Sequence, residues 1–304
     1  MPNRMNVLTR LEADWFGPAP ASRLGFLRVI VGSFLVWTLL DRWTDVAAMG
    51  ANNPFTPVGL VRMLPVRLSP DLLAGVQGLT LALAALWTLG LAWRVTAPLF
   101  ALAFLYWGSY RLSFGVLTHG LHLVSLHVLA FAFVPAAAAL SLDARLPVPR
   151  WLTWAPGPPE GSGHYAWPTR MLCLITTSTY VLAGIAKVNV PRGGWATGEN
   201  LLDQIAYTVL VRDLYQTGEA SIVIDVLFQW PAIITVAAMF SLFLELAAPL
   251  AVLHRRLALA WVVSILGMHA GIATVMGITF AYQTYGFAFL SFFAVERLLP
   301  ARWR

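Results

Sequence analysis

The sequence predicts an all-α fold, a polytopic transmembrane helix bundle, and three observations carry that prediction. Apolar and aromatic residues make up 59% of the 304 residues and only 11% are charged, more apolar surface than a soluble domain of this length can hide. Thirteen Trp and eight Tyr suit the two lipid–water belts, where amphipathic rings sit. Apolar windows of roughly 20 residues, the length that crosses a bilayer, recur along the chain, and mean hydropathy is +0.71.

Eight windows are expected to span: 24–40, 71–93, 95–112, 117–140, 169–188, 231–253, 257–276 and 278–298. The first follows about two dozen mixed residues and contains Arg28, so it reads as a span that stays and not as a cleaved signal. The last two are parted only by Gly277. The segment 143–168, with PVPRWLTWAPGPPEGSG at its centre, is Pro/Gly-rich and polar and reads as a cytoplasmic linker. It divides a single 1–304 transmembrane domain into four spans (1–142) and four more (169–304). In the long 189–230 loop, apolar residues at 201, 202, 205, 209 and 210 recur at helical spacing. This predicts a helix over 200–215, lying in the outer interface plane or packed on neighbouring spans.

With eight spans the two termini share a side. Arg4, Arg10, Arg23, Arg94, Arg145, Arg150, Arg170, Arg255, Arg256, Arg297, Arg302 and Arg304 fall there. Only Arg42, Arg62, Arg67, Arg111, Arg192 and Arg212 fall opposite. The positive-inside rule then places both termini in the cytoplasm of an integral plasma-membrane protein. The net charge of +6 is thereby assigned to orientation and anionic lipid, with no nucleic-acid partner. Cys173 stands alone, which excludes an internal disulfide and any CxxC motif.

Polar residues inside such spans mark function by default. Lys187 ends the fifth window, MLCLITTSTYVLAGIAKV. At that place a lysine either snorkels to the bilayer interface or, removed from water, has its charged form disfavoured and becomes a candidate base. Tyr180, Gly184 and Lys187 share one helical face. The topology places His119 and His122 in the outer turns of the fourth span and His269 in the outer half of the seventh, at the depth of Lys187. These residues are expected to orient substrate or relay protons; His127 reads as a packed bundle histidine and His254 as a surface residue. No HExxH and no nearby carboxylate support a metal, and none is expected. Arg28 and Glu245 sit toward the inner side and are expected to form a structural intramembrane pair, with Asp143 after the LSLD turn as the other candidate partner for Arg28.

At these residues the chain resembles the HTTM (horizontally transferred transmembrane) family, which includes the membrane part of vitamin K-dependent gamma-carboxylase. The resemblance is carried by LGFLRVIVG, VLAFAFVPAAAALSLDA, TYVLAGIAKVNVPRGGWATGENL, LFLELAAPLAVL and MHAGIATVMGITF. The third is the most specific. It implies a carboxylase-like, epoxidase-type lyase in which Lys187 deprotonates reduced vitamin K or menaquinol. O2 then converts the quinone to an epoxide, and CO2 is added to a glutamate side chain. By the same resemblance His119 matches the histidine of a family Asn-His pair whose Asn is absent, and His269 matches a histidine of the penultimate span. Tyr180, Gly184 and Trp195 are expected beside the substrate. The sequence stops at Arg304 after its last span, without the carboxylase's large extramembrane domain, so docking of a large glutamate-rich protein is not expected, which leaves a small secreted peptide, a lipid or the quinone alone as the substrate transformed. A second reading remains open: a non-catalytic membrane module in a bacterial plasma membrane that binds lipid or assists export or maturation of a secreted peptide. A solute transporter is a third and weaker one.

Overall fold

A computed structural model of the protein describes residues 12–13, 15–43, 54–114, 119–154, 157, 161–215 and 222–303. Arg4, Arg10 and Arg304 of the charge count, the first residues of the expected fourth span, and parts of the 41–70, 143–168 and 189–230 segments lie outside the described residues. The described chain is helical, with no strand. It divides into two compact units, one built from the chain up to Leu172 together with Phe293 onward, the other from Cys173–Phe292.

The first unit holds α1 (Ala21–Asp41), α2 (Pro70–Leu89), α3 (Trp93–Leu112) and α4 (His122–Phe131). Helix α2 starts at Ser69, whose side chain accepts from the Leu72 N–H, with Pro70 in the first turn. It ends at Gly90, whose φ of +66 is a left-handed C-cap conformation that suits glycine. Helix α3 is capped by Asp143, to which the Ala92 and Trp93 N–H groups donate at 2.7 and 3.0 Å. Helix α1 packs on α2, α2 on α3, and α3 on α4. Trp87, buried against Trp93, Phe100 and Phe131 at ring separations of 5.5, 5.6 and 5.2 Å, centres an aromatic core.

The backbone after α4 is irregular, and Arg28 accounts for how it is held. Arg28 is fully buried. Its guanidinium donates to the carbonyls of Ala136, at 3.2 Å, and Leu140, and it lies 5.7 Å from the Trp93 ring centroid. The expected Arg28–Glu245 pair is therefore corrected: Arg28 satisfies backbone carbonyls of its own unit, and Glu245 bonds Lys187 (below). An irregular backbone away from water must find donors internally, and a guanidinium supplies five. Arg28→Met is expected to lower stability by about 3 kcal/mol, because one buried and one partly buried carbonyl lose charged donors. Denaturant unfolding in detergent micelles checks this; an unchanged midpoint would mean that the carbonyls find other donors.

The second unit contains most of α5 (Ala166–Val188), then α6 (Glu199–Leu214), α7 (Ile222–Gln229), α8 (Pro231–Leu246), α9 (Leu250–Leu253), α10 (Arg255–Met276) and α11 (Ala281–Thr284). Helix α6 matches the predicted amphipathic helix, and its stripe has a protein partner. Leu201, Leu202, Ile205 and Val209 pack with Ile234 of α8 and Met276 of α10, while Leu210 points outward at 57% exposure.

Among the described residues, four helical segments are long and apolar enough to cross a membrane: Ala21–Asp41, Pro70–Leu89, Gly163–Val188 and Arg255–Met276. A fifth results if the pair Val223–Gln229 and Pro231–Leu246, bent by 101°, counts as one. Window 95–112 is one continuous helix, Trp93–Leu112, though not among these four, and the remaining three windows differ from expectation. Window 117–140 is α-helical for only ten residues. Window 231–253 stops at Leu246 and resumes after Pro249. Window 278–298 is broken into α11 and short 3-10 turns, with Gly277 and Gly286 in left-handed conformations at φ +63 and +81. Apolar length alone did not register these interruptions. The bend between α7 and α8 has a local cause: Trp230 precedes Pro231, which disfavours helical backbone, and it adopts φ −124, ψ 71.

Candidate functional site

The polar residues of the second unit gather where α5 meets α8. Gly184 is the reason the two helices come so close. A Cβ added there would lie 2.9 Å from Leu246 Cδ2 and 3.2 Å from Glu245 Cβ, tighter than ordinary packing. Three residues later on the same face of α5, Lys187 Nζ donates to Glu245 Oε1 at 2.5 Å. The lysine side chain is 20% exposed and that of the glutamate 6%.

Trp195 closes the other side of the amine. Lys187 Nζ lies 4.3 Å from its ring centroid, within cation–π range. The indole is fixed in turn: its N–H is shared between the Ala238 carbonyl and Ser241 Oγ, both at 3.2 Å. After α5 the chain therefore runs back along α8. Trp195 sits beside Ala238 and Ser241, Thr197 accepts from the Thr235 hydroxyl at 2.7 Å, and Gly198, at φ +86, lies against Thr235 with no room for a side chain. Ten residues of helix separate Thr235 from Glu245, about 15 Å at 1.5 Å per residue. Lys187 thus lies well down the flank of α8. Its amine turns to a carboxylate and an indole and does not snorkel along the chain that follows it.

A second polar couple lies farther along α5. Tyr180 and His269 of α10 are joined by a 2.7 Å hydrogen bond between the phenol oxygen and Nε2, and both are buried. Trp261 and Phe289 surround the Tyr180 ring at 5.2 and 6.2 Å, and Phe280 meets His269 at 5.5 Å. The Trp261 N–H donates to the Leu244 carbonyl at 2.9 Å, next to Glu245. Seven residues of helix, about 10 Å, separate Tyr180 from Lys187.

Of the predicted site residues, the structure joins Tyr180 to His269, Lys187 to Trp195, and Gly184 to the residue that Lys187 bonds. His119 and His122 are exposed and belong to the first unit, with ring centroids 6.5 Å apart. His127 is buried in that unit. Among the described residues, no three His, Cys, Asp or Glu side chains gather as metal ligands would.

Sequence reasoning missed that Glu245 belongs to the site. The available signal was Gly184. A glycine between two functional residues on one helical face permits close approach, and the element approaching is the one that brings the carboxylate.

The ion pair is poorly arranged as a device for stability. Glu245 Oε2 is buried and receives no hydrogen bond from any described residue. A buried pair repays its desolvation only when its remaining lone pairs are satisfied, so this one has a marked unused acceptor. No family model, no curated protein and no solved structure matches the chain.

Proposed function

We propose that the chain is an integral membrane protein in which the Lys187–Glu245 pair forms a proton-abstraction site for a reduced, lipid-soluble quinone (reduced vitamin K or menaquinol), with Lys187 as base. The observation that carries the reading is the pair itself, a 2.5 Å contact with a buried, unsatisfied carboxylate oxygen on helices whose outer faces are apolar. The residues fit such a group. Lys187 is partly accessible, and Leu182, Ile185 and Val188 around it on α5 are exposed at 65, 46 and 57%, which suits approach from lipid. When bound, the quinol would supply the redox chemistry with O2 and, by resemblance to the carboxylase, the driving force for adding CO2 to an acceptor such as a small secreted peptide.

The protein's own residues have limited and specific tasks. Lys187 Nζ holds the hydroxyl and takes its proton. Trp195 fixes the direction of the amine and shields it from water. Tyr180 of α5 and His269 of α10 form a second hydrogen-bonded couple, suited to proton relay. The arginine distribution supports cytoplasmic termini and an extracytoplasmic site in a bacterial plasma membrane, with the eight-span topology and the interfacial placement of α6 as parts of the same proposal.

The test is turnover of menaquinol under O2 by the purified protein in lipid nanodiscs, with the epoxide measured by mass spectrometry. The native protein is expected to form it, and a Lys187→Met/Glu245→Leu double variant to form at least about 100-fold less, the usual scale of a lost proton-transfer group. A folded native protein that neither binds nor turns over quinol would leave the non-catalytic lipid or peptide module as the better reading.

A further inference from the structure

We infer that Glu245, not bulk water, is the terminal proton acceptor of this site, and that Lys187 passes protons to it without ever resting as a free amine. The inference rests on the proposed quinol reading and deepens it. Two observations require a second group. Lys187 donates to a carboxylate at 2.5 Å and lies 4.3 Å from an indole ring centroid, the geometry of an ion pair and of a cation–π contact. A base that begins as an ammonium must first give up a proton, and the group placed to receive it is Glu245. That carboxylate is 4% exposed, with its second oxygen buried and unbonded among the described residues.

The step balances. One N–H bond of the Lys187 ammonium breaks and an O–H bond forms on the Glu245 carboxylate. The nitrogen lone pair released takes the proton of a phenolic hydroxyl, whose O–H electron pair stays on its oxygen. Before the step the charges are +1 on Lys187, −1 on Glu245 and zero on the hydroxyl. Afterwards they are +1 on Lys187, zero on Glu245 and −1 on the substrate oxygen. The ammonium exchanges one anionic neighbour for another, and no unpaired charge appears in a medium of low dielectric, where it would be expensive. Protonated Glu245 then carries an O–H donor, and Oε2 supplies the acceptor capacity that the ion pair leaves unused.

The role makes a prediction that a merely structural partner would not. Anaerobic addition of menaquinol to the native protein in nanodiscs should yield the substrate anion in the ultraviolet spectrum. In difference infrared spectra a protonated-carboxyl band should rise with it. That band should move with ¹³C-glutamate labelling and shift in Glu245→Asp, which keeps a carboxylate one methylene shorter. Glu245→Gln, which cannot take the proton, should lose the band and slow anion formation by about 100-fold or more. If Glu245→Gln fails to fold, the native and Glu245→Asp spectra decide alone. Substrate anion formed with no protonated-carboxyl band overturns this inference and leaves the quinol reading standing. No menaquinol binding by folded native protein overturns both.

Discussion

Lys187→Ala is expected to lower stability by about 3–5 kcal/mol, while Lys187→Met/Glu245→Leu regains most of it. The single change leaves the Glu245 carboxylate buried with no cation, the circumstance that makes breaking a buried pair so much worse than removing it. Replacing both residues with apolar side chains of similar size removes the two desolvation penalties together, and such replacements are often neutral or stabilising. Unfolding midpoints in one detergent, measured for Lys187→Met, Glu245→Leu and the double variant, give the coupling directly. The same set separates function from folding. Quinol-dependent activity should be absent in all three variants, including the stable double one. Activity retained in the double variant would show that the pair is structural.

The second large effect is expected at Gly184. Its missing side chain lets α8 approach α5, and an added Cβ would sit 2.9 Å from Leu246 Cδ2 and 3.2 Å from Glu245 Cβ. In Gly184→Ala the flexible end of Leu246 can give way, so a loss of about 1 kcal/mol is expected, the lower range of overpacking. In Gly184→Leu the branch collides with the Glu245 stem as well, and the expected loss rises to about 3 kcal/mol, the upper end of that range. The larger consequence is for the site. Helices held apart carry Glu245 away from Lys187, and proton transfer is steeply sensitive to a misplacement of about 1 Å. Activity should therefore fall by about 100-fold in Gly184→Leu even where the protein is folded. Equal activity in the glycine, alanine and leucine forms would mean that the separation of α5 and α8 does not govern the site.

Some of this arrangement was legible in the sequence and some was not. The composition and the apolar windows led to an all-helical membrane fold, and the helical spacing of 201, 202, 205 and 209 was enough to locate α6. The shared face of Tyr180, Gly184 and Lys187 was likewise readable from steps of four and three. The partner of Glu245 was not. Counting depth along an unbroken 231–253 span placed that residue toward the inner side and suggested Arg28, whereas α8 ends at Leu246 and the chain after α5 runs back beside it. A depth argument fails wherever a span is interrupted, and the interruptions at Trp230, Leu246 and Gly277 come from local backbone chemistry that a hydropathy window averages away. Arg28 shows a similar limit. A buried guanidinium can be neutralised in effect by carbonyls of an irregular segment, and no sequence pattern announces which carbonyls those are. The pairing of Tyr180 with His269 depends on how α5 and α10 cross, and the periodicity of one sequence holds no information about that.

Lys187 is the only lysine in the chain, which makes the central claim directly measurable. Protein grown with ¹⁵N-lysine and ¹³C-carboxyl-labelled glutamate, and reconstituted in lipid, should show a single side-chain nitrogen resonance in the solid-state NMR spectrum. Strong dipolar coupling of that nitrogen to one glutamate carboxyl carbon, lost in Glu245→Gln, is the predicted result. A lysine resonance with no carboxyl neighbour, broadened by a headgroup-level paramagnetic probe, would contradict the account and return Lys187 to the bilayer interface.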